Sequence, residues 1–137
     1  MRILALDHGT VRIGVAVSDE LKMLAHPVEH ILADPFPAFL NRLKILLREK
    51  EVELIVIGMP RNMDGSYGEA AAKVRSFVTV LREATQVPIR TWDERLTTVQ
   101  AQRALQQGGR KGSQRDRIDA TAAAVLLQGY LDSISPS

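Results

Sequence analysis

Short, continuously apolar runs alternating with amphipathic stretches constrain the fold of this chain more than any other feature. Ile3 to Leu6 is wholly apolar, and Arg12-Ile-Gly-Val-Ala-Val-Ser18 follows a turn at His8-Gly9-Thr10, which predicts two strands joined by a tight connection. A third short strand is expected over Leu24 to Ile31. Pro27 places it near a sheet edge or a bulge, because proline has no N–H for the ladder. After Asp34-Pro35, the residues Phe39, Leu43, Leu46 and Leu47 recur at helical spacing among Arg42, Lys44, Arg48, Glu49 and Lys50, as an amphipathic helix covering a sheet requires. Glu53 to Ile57 reads as a short buried strand that stops at Gly58-Met-Pro60.

A loop rich in Asn62, Asp64, Gly65 and Gly68 leads into a second helix, about Glu69 to Ala84, with Val74, Phe77, Val78 and Leu81 facing inward. Val87-Pro-Ile-Arg-Thr-Trp92 supplies another strand, ending at Asp93-Glu94. A third helix is expected from Thr97 to Gln107, terminated by Gly108-Gly109, and a last one from Arg117 to about Ser133. Gly108 to Gln114 should be a mobile loop that orders on a polyanion. The order of elements describes an α/β architecture with a mixed sheet: an antiparallel meander, then strands crossing over through helices. Sites in such sheets gather beyond the carboxyl ends of strands, where Asp7, Gly58 and Glu94 fall if their strands are parallel neighbours.

With 137 residues, 45% of them apolar, the chain has the material for one core, and residues 1–137 read as a single domain. No internal repeat or interdomain linker interrupts it. The absence of cysteine excludes disulfides, thiolate zinc sites and cysteine nucleophiles, and fits a reducing cytoplasm. The opening Arg2-Ile-Leu-Ala-Leu-Asp7 is too soon interrupted by charge for a signal peptide, and no later stretch spans a membrane. A cytoplasmic protein is the expectation.

Net charge is only +2, so its distribution is more informative than its total. Between Arg90 and Asp119 lie Arg90, Arg95, Arg103, Arg110, Lys111, Arg115 and Arg117, against Asp93, Glu94, Asp116 and Asp119. A surface so composed suits a phosphate backbone, although a solvated polar face is the ordinary meaning of such a run.

Three acids stand where the chain leaves its core. Asp7 continues a strand of Ile, Leu, Ala and Leu, Glu94 follows a second strand, and Asp119 precedes the apolar Ala-Thr-Ala-Ala-Ala-Val-Leu-Leu. Carboxylates so placed suggest a divalent cation site, since unpaired buried charge is costly and a hard cation offsets it. Each also has a plainer meaning. Asp7 can bond turn amides, Asp93 or Thr97 can cap a helix, and Asp119 can favour a helix dipole with Asp116 as cap. Adjacent side chains on a strand point to opposite faces, so at most one of Asp93 and Glu94 joins Asp7 easily, and spacing does not choose between them. His8, His26 and His30 are too scattered for a zinc pattern and read as structural or exposed. The chain contains no phosphate-binding loop of either common nucleotide type and no serine nucleophile elbow.

Four motifs in order, Asp7-His-Gly-Thr-Val-Arg-Ile-Gly-Val-Ala-Val-Ser-Asp19, Gly58-Met-Pro-Arg-Asn-Met-Asp-Gly65, Asp93-Glu-Arg-Leu-Thr-Thr98 and Ile118-Asp-Ala-Thr-Ala-Ala-Ala-Val-Leu-Leu-Gln128, resemble the YqgF/RuvX family from Met1 to about Asp132. Its members are small bacterial proteins described as Holliday junction resolvases and as nucleases maturing pre-16S rRNA. The resemblance implies a ribonuclease H-like fold, a five-stranded mixed sheet flanked by helices on both faces. It also implies an acidic catalytic site at Asp7, Glu94 and Asp119 that holds Mg2+ or Mn2+. On this basis the chain is expected to be a metal-dependent nuclease. Arg12, Arg95, Arg110, Lys111, Arg115 and Arg117 would hold the nucleic-acid backbone, either ribosomal RNA precursor or branched DNA. Ribosome-assembly machinery is the expected setting, and a monomer or a weak homodimer the expected state. Asp64, Asp93 and Asp116 are candidates for a fourth carboxylate. Two rivals stand beside this reading. One is an ATPase of the actin-like class, suggested by Asp-x-Gly-Thr after a first strand but lacking room for a second lobe. The other is a non-catalytic RNA-binding module.

Overall fold

The computed structural model describes residues 1–61, 64, 66–94 and 114–135, with the backbone alone for 114–121. Its strands are β1 (Arg2–His8), β2 (Arg12–Ser18), β3 (Ala25–Leu32), β4 (Val52–Met59) and β5 (Ile89–Asp93). Its described helices are α1 (Phe36–Glu49), α2 (Glu69–Ala84) and α3 (Gln114–Ile134). The five strands form one sheet in the order β3-β2-β1-β4-β5. β1 and β2 pair antiparallel, as do β2 and β3, whereas β1, β4 and β5 run parallel. The mixed sheet expected from the order of elements is thus present. Pro27 lies on an edge strand beside a register shift: Val15 pairs with Glu29 and Ala16 with Pro27, leaving Val28 bulged.

Strand alternation divides the core into two layers. Leu4, Leu6, Ile13, Val15, Ile55 and Ile57 pack against α1 and α2 through Phe39, Leu43, Val74, Phe77 and Leu81. Ile3, Ala5, Ala16 and Val56 pack on the other face against α3 through Ala123, Ala124, Leu127, Tyr130 and Leu131. Helices therefore flank both faces. Alanines on α3 and on the strands beneath it let that helix lie close to the sheet. Gln128 of α3 pins the edge: its Oε1 accepts from the Ala25 N–H at 2.9 Å and its Nε2 donates to the Met23 carbonyl at 2.9 Å.

Several expected boundaries move. β4 continues through Gly58 and Met59 because β5 pairs with both, Gly58 with Trp92 and Met59 with Asp93. β5 begins at Ile89 instead of Val87, since Pro88 has no N–H to donate and contributes only its carbonyl, which accepts from Ile55. α3 begins at Gln114 instead of Arg117. Asp116 is therefore not its N-cap, and Asp119 stands beyond the first turn, away from the positive end of the dipole. The helix expected over Thr97 to Gln107, and the loop from Gly108 up to Gln114, lie outside the described residues.

Candidate active site

The parallel order β1-β4-β5 brings the carboxyl ends of three strands side by side, and the end of each shapes the site. β1 turns back into β2 through Gly9, whose N–H donates to the Arg12 carbonyl at 2.9 Å. A Cβ at Gly9 would meet that oxygen at 2.5 Å, so no other residue closes the turn without moving backbone.

Alternation then aims the side chains. Ile3 and Ala5 face α3, and Asp7 shares their parity. On β5, Trp92 packs in the α3 layer, its ring edge-on to Tyr130 at 5.3 Å, and Arg90 donates to the Tyr130 hydroxyl at 2.8 Å. Glu94, two residues beyond Trp92, falls on the same face. The carboxyls of Asp7 and Glu94 share a hydrogen bond there. Asp93 points the other way, toward Arg61 of the β4–α2 connection, at 3.3 Å. The choice between Asp93 and Glu94, which spacing leaves open and the family resemblance makes for Glu94, follows physically from the parity of β5.

Gly58 provides the space between them. It lies on β4, the strand separating β1 from β5, at a position facing α3. A Cβ added there would lie 2.6 Å from the Glu94 Oε1 and 3.0 Å from the Leu126 Cδ2. Glu94 and α3 both occupy the volume a larger residue would fill.

Burial pushes the Glu94 carboxyl up to about 7, with the Asp7 charge, the hydrogen bond to Asp7 and the Asp93 charge acting in the same direction. Such a pair fits a divalent cation by the chemistry of its donors. Two hard oxygen donors converge, burial and the neighbouring Asp7 charge make an ionised Glu94 costly, and a 2+ charge would relieve both. Among the described residues no group of three His, Cys, Asp or Glu side chains comes together. The third expected acid, Asp119, lies in α3 with its side chain outside the described residues.

Other expectations divide similarly. Arg12 opens β2 beside the Gly9 turn, at the same end of the sheet as Asp7. Arg95, Arg110 and Lys111 lie outside the described residues, as do the side chains of Arg115 and Arg117. Asp64 accepts from the Ser66 N–H at 2.9 Å and its hydroxyl at 2.6 Å, a local turn interaction. His8 packs its ring on Phe77 at 4.7 Å, and burial pulls its pKa down, which makes it a structural histidine. His26 is exposed and His30 half-buried.

Arg61 and Tyr67 were not singled out by residue type or spacing. The Arg61 guanidinium reaches Asp93 and lies 4.6 Å from the centre of the Tyr67 ring. A lone exposed aromatic in a glycine-rich loop was the one available signal.

Sheet order, crossover pattern and an acidic pair at the carboxyl ends of β1 and β5 define a ribonuclease H-like protein. RuvC of T. thermophilus in complex with Holliday junction substrate superposes with a TM-score of 0.58, covering 97% of this chain and 94% of that chain at 19% identity. Fowlpox virus resolvase with Holliday junction DNA gives 0.60, covering 99% and 100% at 11% identity. The chain belongs to the RuvX family, whose model, described as "RuvX: Holliday junction resolvase", matches residues 1–133. A relative from Desulforamulus reducens named "Putative pre-16S rRNA nuclease" is 46% identical, covering 97% of this chain and 98% of its own length. Another of the same name, from Halothermothrix orenii, is 45% identical, covering 96% and 95%.

Proposed function

We propose that this chain is a metal-dependent nuclease that hydrolyses phosphodiester bonds in the 5′-end maturation of pre-16S rRNA. The observation that carries the reading is the Asp7–Glu94 pair, two carboxyls within hydrogen-bonding reach at the carboxyl ends of strands that are not adjacent. The name shared by its relatives supports the substrate.

Asp119 is the third acid of this reading. α3 places Leu126 over Gly58, and Asp119 precedes Leu126 by seven residues, about two helical turns on one face. The Gln128 end of α3 is tied to Ala25, opposite Ser18, whose hydroxyl accepts from the Ile3 N–H near the amino end of β1. The amino-terminal part of α3 therefore heads toward the other end of that strand, where Asp7 lies. Mg2+ or Mn2+ held by Asp7, Glu94 and Asp119 would supply the Lewis acid that activates water and stabilises charge developing on the phosphodiester.

The chain's own part is placement. The strand ends fix two carboxyl donors in a half-buried setting where their charge is weakly screened, and Gly58 leaves the volume that Glu94 needs. Arg12, Arg95, Arg110, Lys111, Arg115 and Arg117 would hold the phosphate backbone in register. A monomer suffices for a single cut in ribosomal RNA precursor. Among the described residues no helix is long and apolar enough to cross a membrane, and action in the cytoplasm alongside ribosome assembly accords with the reading.

Resolution of Holliday junctions is the second reading, favoured by the description of the family model. It requires two sites related by two-fold symmetry, hence a homodimer. Pre-16S RNA and a four-way DNA junction, each incubated with Mg2+ or Mn2+ and with wild type or Asp7→Asn, test both. Cleavage of the RNA that is lost in Asp7→Asn is the expected result. Cleavage of the junction alone selects the second reading, and cleavage of neither sinks the nuclease.

A further inference from the structure

Tyr67 projects from the connection between β4 and α2 with 51% of its surface exposed, the one Phe, Trp or Tyr among the strongly exposed residues described. Two guanidinium groups converge on its ring: Arg61 at 4.6 Å and Arg75 of α2 at 5.1 Å from the centroid. Cations on a ring face are attracted by its quadrupole, but two of them so close repel one another unless an anion is shared. Arg61 meets Asp93, whereas Arg75 has no carboxylate partner among the described residues. The arrangement is thus an exposed ring stacked with guanidinium groups, one of which, Arg75, brings a charge not neutralised by a described carboxylate.

It stands at the same end of the sheet as the acidic pair, on the α2 side. Arg61 links Tyr67 to Asp93, the residue before Glu94. Lys73, exposed on the same helix as Arg75, lies close enough for its charge to act on His8, the neighbour of Asp7. A stack of aromatic and guanidinium planes is what an unpaired nucleotide can join: the base takes the place of one guanidinium on the ring, or stacks on its plane, and the phosphates meet the cations. A paired base cannot use such a surface, because both of its faces are already stacked in the duplex.

We propose that Tyr67, held by Arg61 and Arg75, is a stacking platform for an unpaired base of the strand delivered to the Asp7–Glu94 site, which makes single-stranded nucleic acid the class of substrate this face takes. The proposal rests on the nuclease reading for its orientation toward the acids, while its binding component stands independently.

The test measures binding without cleavage, in Asp7→Asn protein, by fluorescence anisotropy with a single-stranded RNA of about ten nucleotides. Tyr67→Ala should weaken binding roughly tenfold, and Tyr67→Phe should stay within about twofold, since the stacking surface is kept. One abasic nucleotide is then walked along the RNA. At one position it should cost a protein with Tyr67 the same roughly tenfold and cost the Tyr67→Ala protein nothing more, a coupling that loop distortion alone does not produce. Arg75→Gln should lower the salt slope by roughly 0.7 for single-stranded RNA, and Tyr67→Ala should leave it unchanged. Equal losses from abasic sites with and without Tyr67, or unaltered binding by Tyr67→Ala, would overturn the platform. Wild-type cleavage decides the nuclease reading separately. RNA that is bound base-dependently but never cut removes the nuclease and keeps the platform, whereas RNA that is cut without base coupling does the reverse.

Discussion

The carboxyls of Asp7 and Glu94 share a hydrogen bond although they end strands that do not touch, because β4 between them carries Gly58 where any other residue would intrude. The close atom is the Glu94 Oε1, the tip of a flexible side chain, so relief of a clash there is cheap in energy. It is expensive in geometry, since the tip is the functional group. Gly58→Ala should therefore lower stability by only about 1 kcal/mol, within the usual cost of overpacking. Its cleavage rate should fall by about a hundredfold, as expected of a reacting group displaced by about an ångström. Urea denaturation beside single-turnover cleavage checks the contrast, and parallel losses of both would refute it.

Parity on β5 assigns different work to adjacent acids. Asp93→Asn keeps a hydrogen-bonding side chain facing Arg61 and should retain cleavage within about tenfold, while Glu94→Gln should lose at least about a thousandfold. Steady-state rates in saturating Mn2+ measure the difference. Equal losses would return the choice to where the sequence leaves it.

Glu94 couples the site to pH. Its folded-state value, about 7, lies above the ordinary 4.5, so the folded protein binds more protons than the unfolded chain between those values. Stability of the metal-free protein should accordingly fall as pH rises from about 4.5 to about 7 and then level off. Glu94→Gln should flatten that decline. A cation competes with the proton, so stabilisation by Mg2+ or Mn2+ should grow over the same interval. Thermal melts in EDTA and in excess metal across the interval report both trends. A metal-free protein that gains stability from about pH 5 to about pH 7 through this pair would contradict the assignment.

Away from the site, Gln128 bonds the Ala25 N–H, the Met23 carbonyl and Asp132 from a buried position. Gln128→Leu would fit the same volume while stranding those backbone groups, at a cost of about 2 kcal/mol. The midpoint of urea unfolding should drop with the slope unchanged.

Much of the fold is written locally. The apolar run Ile3 to Leu6, the helical spacing of Phe39, Leu43, Leu46 and Leu47, and the placement of Pro27 on a bulged edge follow from periodicity and backbone chemistry acting over a few residues. Strand boundaries at Met59 and Ile89 were less legible, because each depends on whether a neighbouring strand offers a hydrogen-bond partner. The start of α3 was hidden for a related reason: Gln114 to Asp116 are polar and carry no signal that separates helix from loop.

By itself the sequence determined the classes and order of the described elements and the strand-end positions of Asp7 and Glu94, since these depend on residue type and short-range repetition. Tertiary structure supplied the reason that Asp7 meets Glu94 and not Asp93, and it alone decided that Gly58 is the gap they share and that Arg61 and Arg75 converge on Tyr67. Each of those is a contact between residues far apart in the chain, and only the register and parity of packed strands give it a distance.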